Sequence, residues 1–171
     1  MFTVRAARRE DGPVLQEIEG LAGARFREAG LTTIASHDPA SLEELAEYAH
    51  SGRSWVAVDE SDRAVGYVIV DDVDRNAHVE QMSVVPEHQH RGVGRSLLAH
   101  VDAWASSTSR RAITLTTYTE VPWNRALYEH LGFRVLDDSE IGPQLRAIRE
   151  AEKARGLDVA PRVCMRRELE C

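Results

Sequence analysis

Val84-Val-Pro-Glu-His-Gln-His-Arg-Gly-Val-Gly-Arg-Ser-Leu-Leu98 is the stretch that decides what fold this chain takes. An apolar, strand-like run enters Pro86, and a short loop follows with Gly92 and Gly94 two residues apart. An amphipathic pattern then starts at once, with Val93, Leu97, Val101 and Trp104 on one helical face. Strand, tight turn and helix start in that order gather main-chain N–H groups that have no intrahelical acceptor. Such groups face whatever anion lies in front of them. Glycine lets the main chain approach a phosphate with no Cβ in the way. The stretch therefore predicts a phosphate site. It is not a Walker A loop, because Gly-Lys-Ser/Thr is missing. It is not a dinucleotide fingerprint either, because Leu97 stands where the third glycine belongs.

Composition sets the limits around that site. The length of 171 residues suits one domain with a proper core, so residues 1–171 are read as a single unit. A hydrophobic fraction of 43% with 29% charged residues is that of an ordinary globular protein. No apolar run reaches the length of a membrane span, and Met1-Phe-Thr-Val-Arg5 has no signal-peptide core. The expectation is a cytoplasmic protein without a membrane partner. Cys164 and Cys171 make neither a disulfide framework nor a metal-ligand spacing, so no metal is expected. A net charge of −7 argues against a nucleic-acid partner and is compatible with a cationic amine.

Periodicity predicts strands at Phe2–Ala7, Ser54–Asp59, Ala64–Asp72, Ala77–Val85, Ala112–Tyr118, Phe133–Asp137 and Arg162–Leu169. A first helix runs from Asp11 and Pro13 to Ala29, with Val14, Ile18, Leu21, Ala22 and Phe26 as its apolar face. Asp38-Pro39 predicts the start of a second helix, ending at His50. Pro122 opens a helix with Trp123, Leu127 and Leu131 on one face, and Gly132 stops it. Pro143–Arg155 is a charged amphipathic helix. Helices and strands do not simply alternate, so the class is α/β or α+β.

Gln89-His-Arg-Gly-Val-Gly94 matches the (Gln/Arg)-x-x-Gly-x-Gly pyrophosphate loop of the GNAT superfamily of N-acetyltransferases, placed after a strand ending in Val-x-Pro and before a long helix. Further on, Asn124-Arg-Ala-Leu-Tyr-Glu-His-Leu-Gly-Phe133 resembles the second signature of that family, Asn-x-x-Ala-x-x-Tyr-x-x-x-Gly-Phe, with one residue fewer before the tyrosine. Val4-Arg5-x-Ala7 and the closing strand also resemble it, so the likeness covers essentially the whole chain. It implies a GNAT fold: a central mixed, mostly antiparallel sheet of about seven strands, splayed between the fourth and fifth and flanked by helices. The charged helix within 138–160, between strands six and seven, departs from compact family members. A lid on the acceptor side, a subunit contact and a surface elaboration all remain open for it.

The resemblance also implies chemistry at named positions. Acetyl-CoA would be the co-substrate, its pantetheine arm pairing with the backbone of Met82, Ser83 and Val84 as an added strand would. The pyrophosphate would take N–H groups from Gln89, His90, Arg91, Gly92, Val93, Gly94 and Arg95, with charge from Arg91 and Arg95. Tyr128, one turn after Asn124 on the same helix face, would protonate the departing thiolate, and Asn124 would hydrogen-bond the pantetheine or a water. His78 and Glu80 share strand parity and are the candidate bases, with Glu80 ranked first because a carboxylate also attracts a cationic amine. Trp123, in front of Asn124, would lie near the cofactor arm and either shape an acceptor pocket or staple the helix start. Phe26, Leu31 and Thr32 fall where the acceptor wall is usually built. The expected reaction is direct attack of a primary amine in a ternary complex, with no acyl-enzyme because neither cysteine lies in a signature. A small-molecule acceptor is the first expectation. A protein or peptide acceptor, a non-catalytic acyl-CoA sensor and a homodimer stay open.

Overall fold

In the computed structural model, residues 1–31, 38–158 and 160–169 are described. Seven strands form one sheet in the order β1-β2-β3-β4-β5-β7-β6. They are β1 (Phe2–Ala6), β2 (Ser54–Asp59), β3 (Ala64–Val73), β4 (Asn76–Val84), β5 (Ala112–Tyr118), β6 (Arg134–Val135) and β7 (Arg162–Glu168). Among the described residues, five α-helices accompany them: α1 (Gly12–Glu28), α2 (Leu42–His50), α3 (Val93–Ser107), α4 (Asn124–His130) and α5 (Pro143–Ala154). The sheet is antiparallel except at β4–β5, where the parallel register comprises Ala77↔Ile113 and His78↔Thr114. This is the expected fold class, with the extra helix between the sixth and seventh strands. Contacts group the chain into two compact units, Met1–Asp71 with Val79–Val101, and Asp72–His78 with Asp102–Cys171.

In the first unit, β1 and β3 flank β2 in antiparallel register, from Phe2↔Asp59 to Ala6↔Trp55 and from Ser54↔Ile69 to Val58↔Ala64. β-branched residues fill these strands, and Val56, Val68, Ile69 and Val70 are fully buried. Leu15 and Ile18 of α1, Leu45 of α2, and Val93, Leu97 and Leu98 of α3 complete the core. The buried stripe of α1 thus runs through Gly12, Leu15 and Ile18, while Leu21, expected inside, is 46% exposed. The start of α2 also differs from expectation. Ser41, not Asp38, is its N-cap: the Ser41 hydroxyl accepts from Glu44 N–H at 3.1 Å, and the Glu44 carboxylate accepts from Ser41 N–H at 2.7 Å. That reciprocal pair satisfies two donors at once and fixes the helix start three residues later than Asp38-Pro39 suggested.

In the second unit, β5 pairs β7 along its whole length, from Ala112↔Glu168 to Tyr118↔Arg162. Both faces of β5 are covered. Ile113, Leu115 and Thr117 are buried on one, and on the other Thr114 and Tyr118 are buried while Thr116 donates to Glu152 of α5 at 2.7 Å. The apolar face of α5 closes a cluster of Val73, Leu136, Leu145 and Cys164, with Ile141 and Ile148 against it. The helix is therefore packed on its own unit's sheet. Strand β6 is shorter than the expected Phe133–Asp137. Phe133 N–H closes back on Tyr128 C=O at 2.9 Å around Gly132, whose φ is 92°, and Asp137 N–H is taken by the Glu140 carboxylate. Between β3 and β4, Asp74 and Arg75 both have positive φ (51° and 62°), the conformation of a two-residue hairpin turn.

Candidate active site

The glycine loop belongs wholly to the first unit. Pro86–His88 makes one 3-10 turn, and Gln89 N–H closes on Pro86 C=O at 3.3 Å. The next main-chain bond is the first of α3, from Ser96 N–H to Gly92 C=O at 3.0 Å. Between them, the N–H groups of residues 90–95 take no main-chain acceptor among the described residues. His90 (φ 60°) and Gly92 (φ 84°) both occupy the left-handed region, so the backbone folds into a concave run of amides. Gly92 serves its conformation, and a Cβ there would meet open space. At Gly94 a Cβ would make only ordinary contact with Met82, at 3.6 Å. The first turn of α3 holds no acidic residue, whereas Arg91 and Arg95 are exposed with no carboxylate in salt-bridge range among the described residues. Helix dipole, amides and guanidinium groups all favour an anion here.

Gln89 departs from its expected role. Its N–H is used in the turn, and its side chain is committed elsewhere: Nε2 donates to Val84 C=O at 3.1 Å, and Oε1 accepts from Arg25 of α1 at 3.0 Å. Of the strand residues, Met82, Ser83 and Val84 lie past the last parallel pair of β4. Ser83 is buried, and its hydroxyl accepts from Gln81 Nε2 at 2.7 Å. No motif in the sequence points to Gly66. A Cβ there would press on Ser83 C=O at 3.0 Å and on Val93 Cγ1 at 3.1 Å, so β3 needs a bare position for the loop to sit down.

The two candidate bases share parity but not environment. Glu80 is exposed. It lies close enough to Tyr48 to raise that phenol's pKa, after burial and Asp71, and the Tyr48 hydroxyl donates to Asp71 at 2.9 Å. His78 is only 1% exposed, and its Nδ1 sits 3.0 Å from Thr114 Oγ1 in the second unit.

The second signature forms α4, with Asn124 and Tyr128 one turn apart. Trp123 precedes the helix, partly buried, and Leu127 is 41% exposed, contrary to its expected inward face. Phe26 and Leu31, partly buried, lie in the first unit at the end of α1, while Thr32 lies outside the described residues. The Tyr128 ring meets Phe133 edge-on, with centroids 5.8 Å apart. Burial pushes its phenol up to about 12, with Arg162 pulling the other way. The chain has four tyrosines. The hydroxyls of Tyr48, Tyr67 and Tyr118 donate to Asp71, Glu19 and the Leu157 carbonyl. That of Tyr128 has no hydrogen-bond partner among the described residues.

Elsewhere in the second unit, a cavity of about 210 Å³ is lined by Asn76, Arg111, Thr114 and Arg166, together with Asp74 and Glu140. Its carboxylates are already engaged, Asp74 by the start of α5 and Glu140 by Arg134. Among the described residues, no group of three or more His, Cys, Asp or Glu could hold a metal, and no helix is long and apolar enough to cross a membrane.

A family model described as acetyltransferase (GNAT) domain matches residues 50–135. The peptidyl-lysine N-acetyltransferase YjaB of Salmonella typhimurium (strain LT2) is 26% identical over 144 residues, covering 82% of this chain and 89% of that protein. A GNAT-family acetyltransferase from Staphylococcus aureus Mu50 shares the fold, with a TM-score of 0.75 at 15% identity, covering 99% of this chain and 100% of that one. The PaiA N-acetyltransferase of Thermoplasma acidophilum, solved in complex with coenzyme A, gives a TM-score of 0.69 at 14% identity, covering 98% and 99%.

Proposed function

The chain belongs to the GNAT family and is an acetyl-CoA-dependent acyltransferase, and from that membership we propose that it acetylates the side-chain amine of a lysine in a peptide or protein. Residues 1–171 would act as one catalytic domain, working in the cytoplasm. The observation that carries the reading is the row of amides at residues 90–95, beside Arg91 and Arg95, that take no main-chain acceptor among the described residues. A pyrophosphate offers the acceptor oxygens and the negative charge this cradle lacks. The relative named for peptidyl-lysine, matched over most of both chains, supports the acceptor class. A closed pocket walled by Trp123 and α5 would favour a small amine, and α5 spends its apolar face on Val73, Leu136 and Cys164.

Acetyl-CoA supplies the thioester whose carbonyl the amine attacks; the chain's residues do the rest. The backbone of Met82–Val84, past the parallel register, would hold the pantetheine arm by strand-like pairing, and an N–H near Met82 would polarise the thioester carbonyl. Glu80, reachable from solvent, would take the proton the ammonium must lose before attack. His78, sealed in beside Thr114, would help set the strand in place. Tyr128 would give its proton to the departing sulfur. With its phenol held up to about 12, it keeps that proton at any neutral pH. Asn124, one turn earlier, would hold the pantetheine amide.

The test is thiol release by the full chain with acetyl-CoA and a panel of acceptors: lysine peptides, the same peptides with blocked ε-amines, polyamines and aminoglycosides. Peptide-dependent release that vanishes on blocking, with the acetyl group located on the ε-nitrogen by mass spectrometry, is the expected result. Turnover with small amines alone would overturn the acceptor class. If acetyl-CoA raises the melting temperature while no acceptor exceeds hydrolysis, the chain binds the cofactor without transferring from it and the catalytic proposal fails.

A further inference from the structure

We propose that Arg25 is a positioning residue for the donor site, acting through Gln89 to hold residues 90–95 in their anion-binding shape; the proposal rests on the donor-site reading above. Gln89 stands at the point where the end of β4, the loop and α1 meet within the first unit. Its side-chain amide spans two anchors, the Val84 carbonyl at 3.1 Å and the Arg25 guanidinium at 3.0 Å. Both bonds exist in only one orientation of the amide. A guanidinium can only donate and a carbonyl can only accept, so Oε1 must face Arg25 and Nε2 must face Val84. Arg25 therefore selects the rotamer that ties the loop to the strand. Without it, water competes for Oε1 and the amide is free to turn.

The loop needs such a tie. His90 holds a left-handed φ of 60° without being glycine, and Gly92 follows at 84°. Non-glycine residues keep that conformation only where their surroundings hold it. Among the described residues, no main-chain acceptor holds the amides of residues 90–95 in place. Gln89 is the residue directly before them, and its N–H is already fixed on Pro86. Arg25 also lies next to Phe26, and Leu31 N–H bonds the Phe26 carbonyl at 2.8 Å. The tie therefore joins the donor loop to the segment expected to form the acceptor wall.

The experiment is a double-mutant cycle in the full chain, read as acetyl-CoA KM, kcat and the Kd of CoA by calorimetry, for R25M, Q89M and the pair. Each single change should raise KM and Kd roughly 10-fold with kcat within about twofold, and the double variant should be no worse than either single. R25K, whose ammonium can still donate to Oε1, should recover most of the affinity. If R25M weakens CoA as much in the Q89M background as in the wild type, Arg25 works independently of Gln89 and the proposal is wrong. An unchanged Kd in R25M also overturns it. Wild-type protein that binds no CoA overturns the donor-site reading itself and this proposal with it, an outcome visible before any variant is made.

Discussion

Two helices of this molecule begin in opposite ways. Helix α5 starts against an anion that the chain supplies: one Asp74 oxygen accepts from Gln144 N–H at 3.0 Å and the other from Leu145 N–H at 2.9 Å. Gly142 stands in front of it because a Cβ there would collide with that carboxylate. Helix α3 starts with no acid in its first turn, no main-chain acceptor among the described residues for the amides before it, and Arg91 and Arg95 exposed alongside. Every helix start has the same surplus of donors. At α5 the chain fills that surplus from within. At α3 it leaves it open among the described residues, and under the donor-site proposal the anion comes from the cofactor. The tyrosines repeat the contrast: three donate inside the molecule, and the hydroxyl of Tyr128 has no partner among the described residues.

The strongest way to break the comparison is at Tyr128. If its unused hydroxyl is the proton donor, Tyr128→Phe should lower kcat by about 10²-fold or more while the acetyl-CoA KM moves little. A variant with unchanged kcat would return Tyr128 to the class of packing residues. Next is an attempt to turn the start of α3 into that of α5. Arg95→Glu puts a carboxylate at the third helical position, from which it can reach back to the open amides. It should weaken CoA by roughly 100-fold while leaving the melting temperature equal or higher, since the helix gains a cap as the site loses one. Loss of affinity accompanied by loss of stability would mean that the loop had merely been damaged. The converse change, Asp74→Ala, should cost about 1–2 kcal/mol of stability in denaturant melts and leave the Kd for CoA where it was. A matching loss of CoA affinity would erase the distinction between a structural and a functional helix start.

What could be read from the sequence divides along the same line. The open cradle was legible because it is local: glycines, arginines and the strand before them lie within one stretch, and the Gly132 stop of α4 is local too. The closed helix start was not, since Asp74 reaches α5 from 70 residues away. Gln89 was read as a phosphate ligand because its pattern matched, while its actual partner Arg25 is 64 residues distant. Parity placed His78 and Glu80 on one face, as the period of a strand must. It could not show that Thr114 covers the first while the second stays exposed, because cover comes from other elements. The start of α2 was legible and was missed. Ser41 and Glu44 spell a capping box, and Asp38-Pro39 drew attention away from it.

The smallest effect concerns the same phenol in the absence of any substrate. Tyr128 has its pKa pushed up to about 12 by burial, against about 10 when unfolded. Between those values the unfolded chain has released a proton that the folded chain still holds, so stability falls as pH rises across that window. The contribution is complete below about pH 10 and is gone above about pH 12. Tyr128→Phe has no proton to release in either state, so its unfolding free energy should lose less between pH 10 and 12. The difference should be of order 1 kcal/mol, discounted for the ring's partial exposure to water. The other three tyrosines are common to both proteins and cancel in the subtraction. Parallel pH profiles for the two proteins would show that the hydroxyl is not held in its protonated form. It would then be one more surface phenol, and the proton-donor role that sets it apart from Tyr48, Tyr67 and Tyr118 would lose its physical basis.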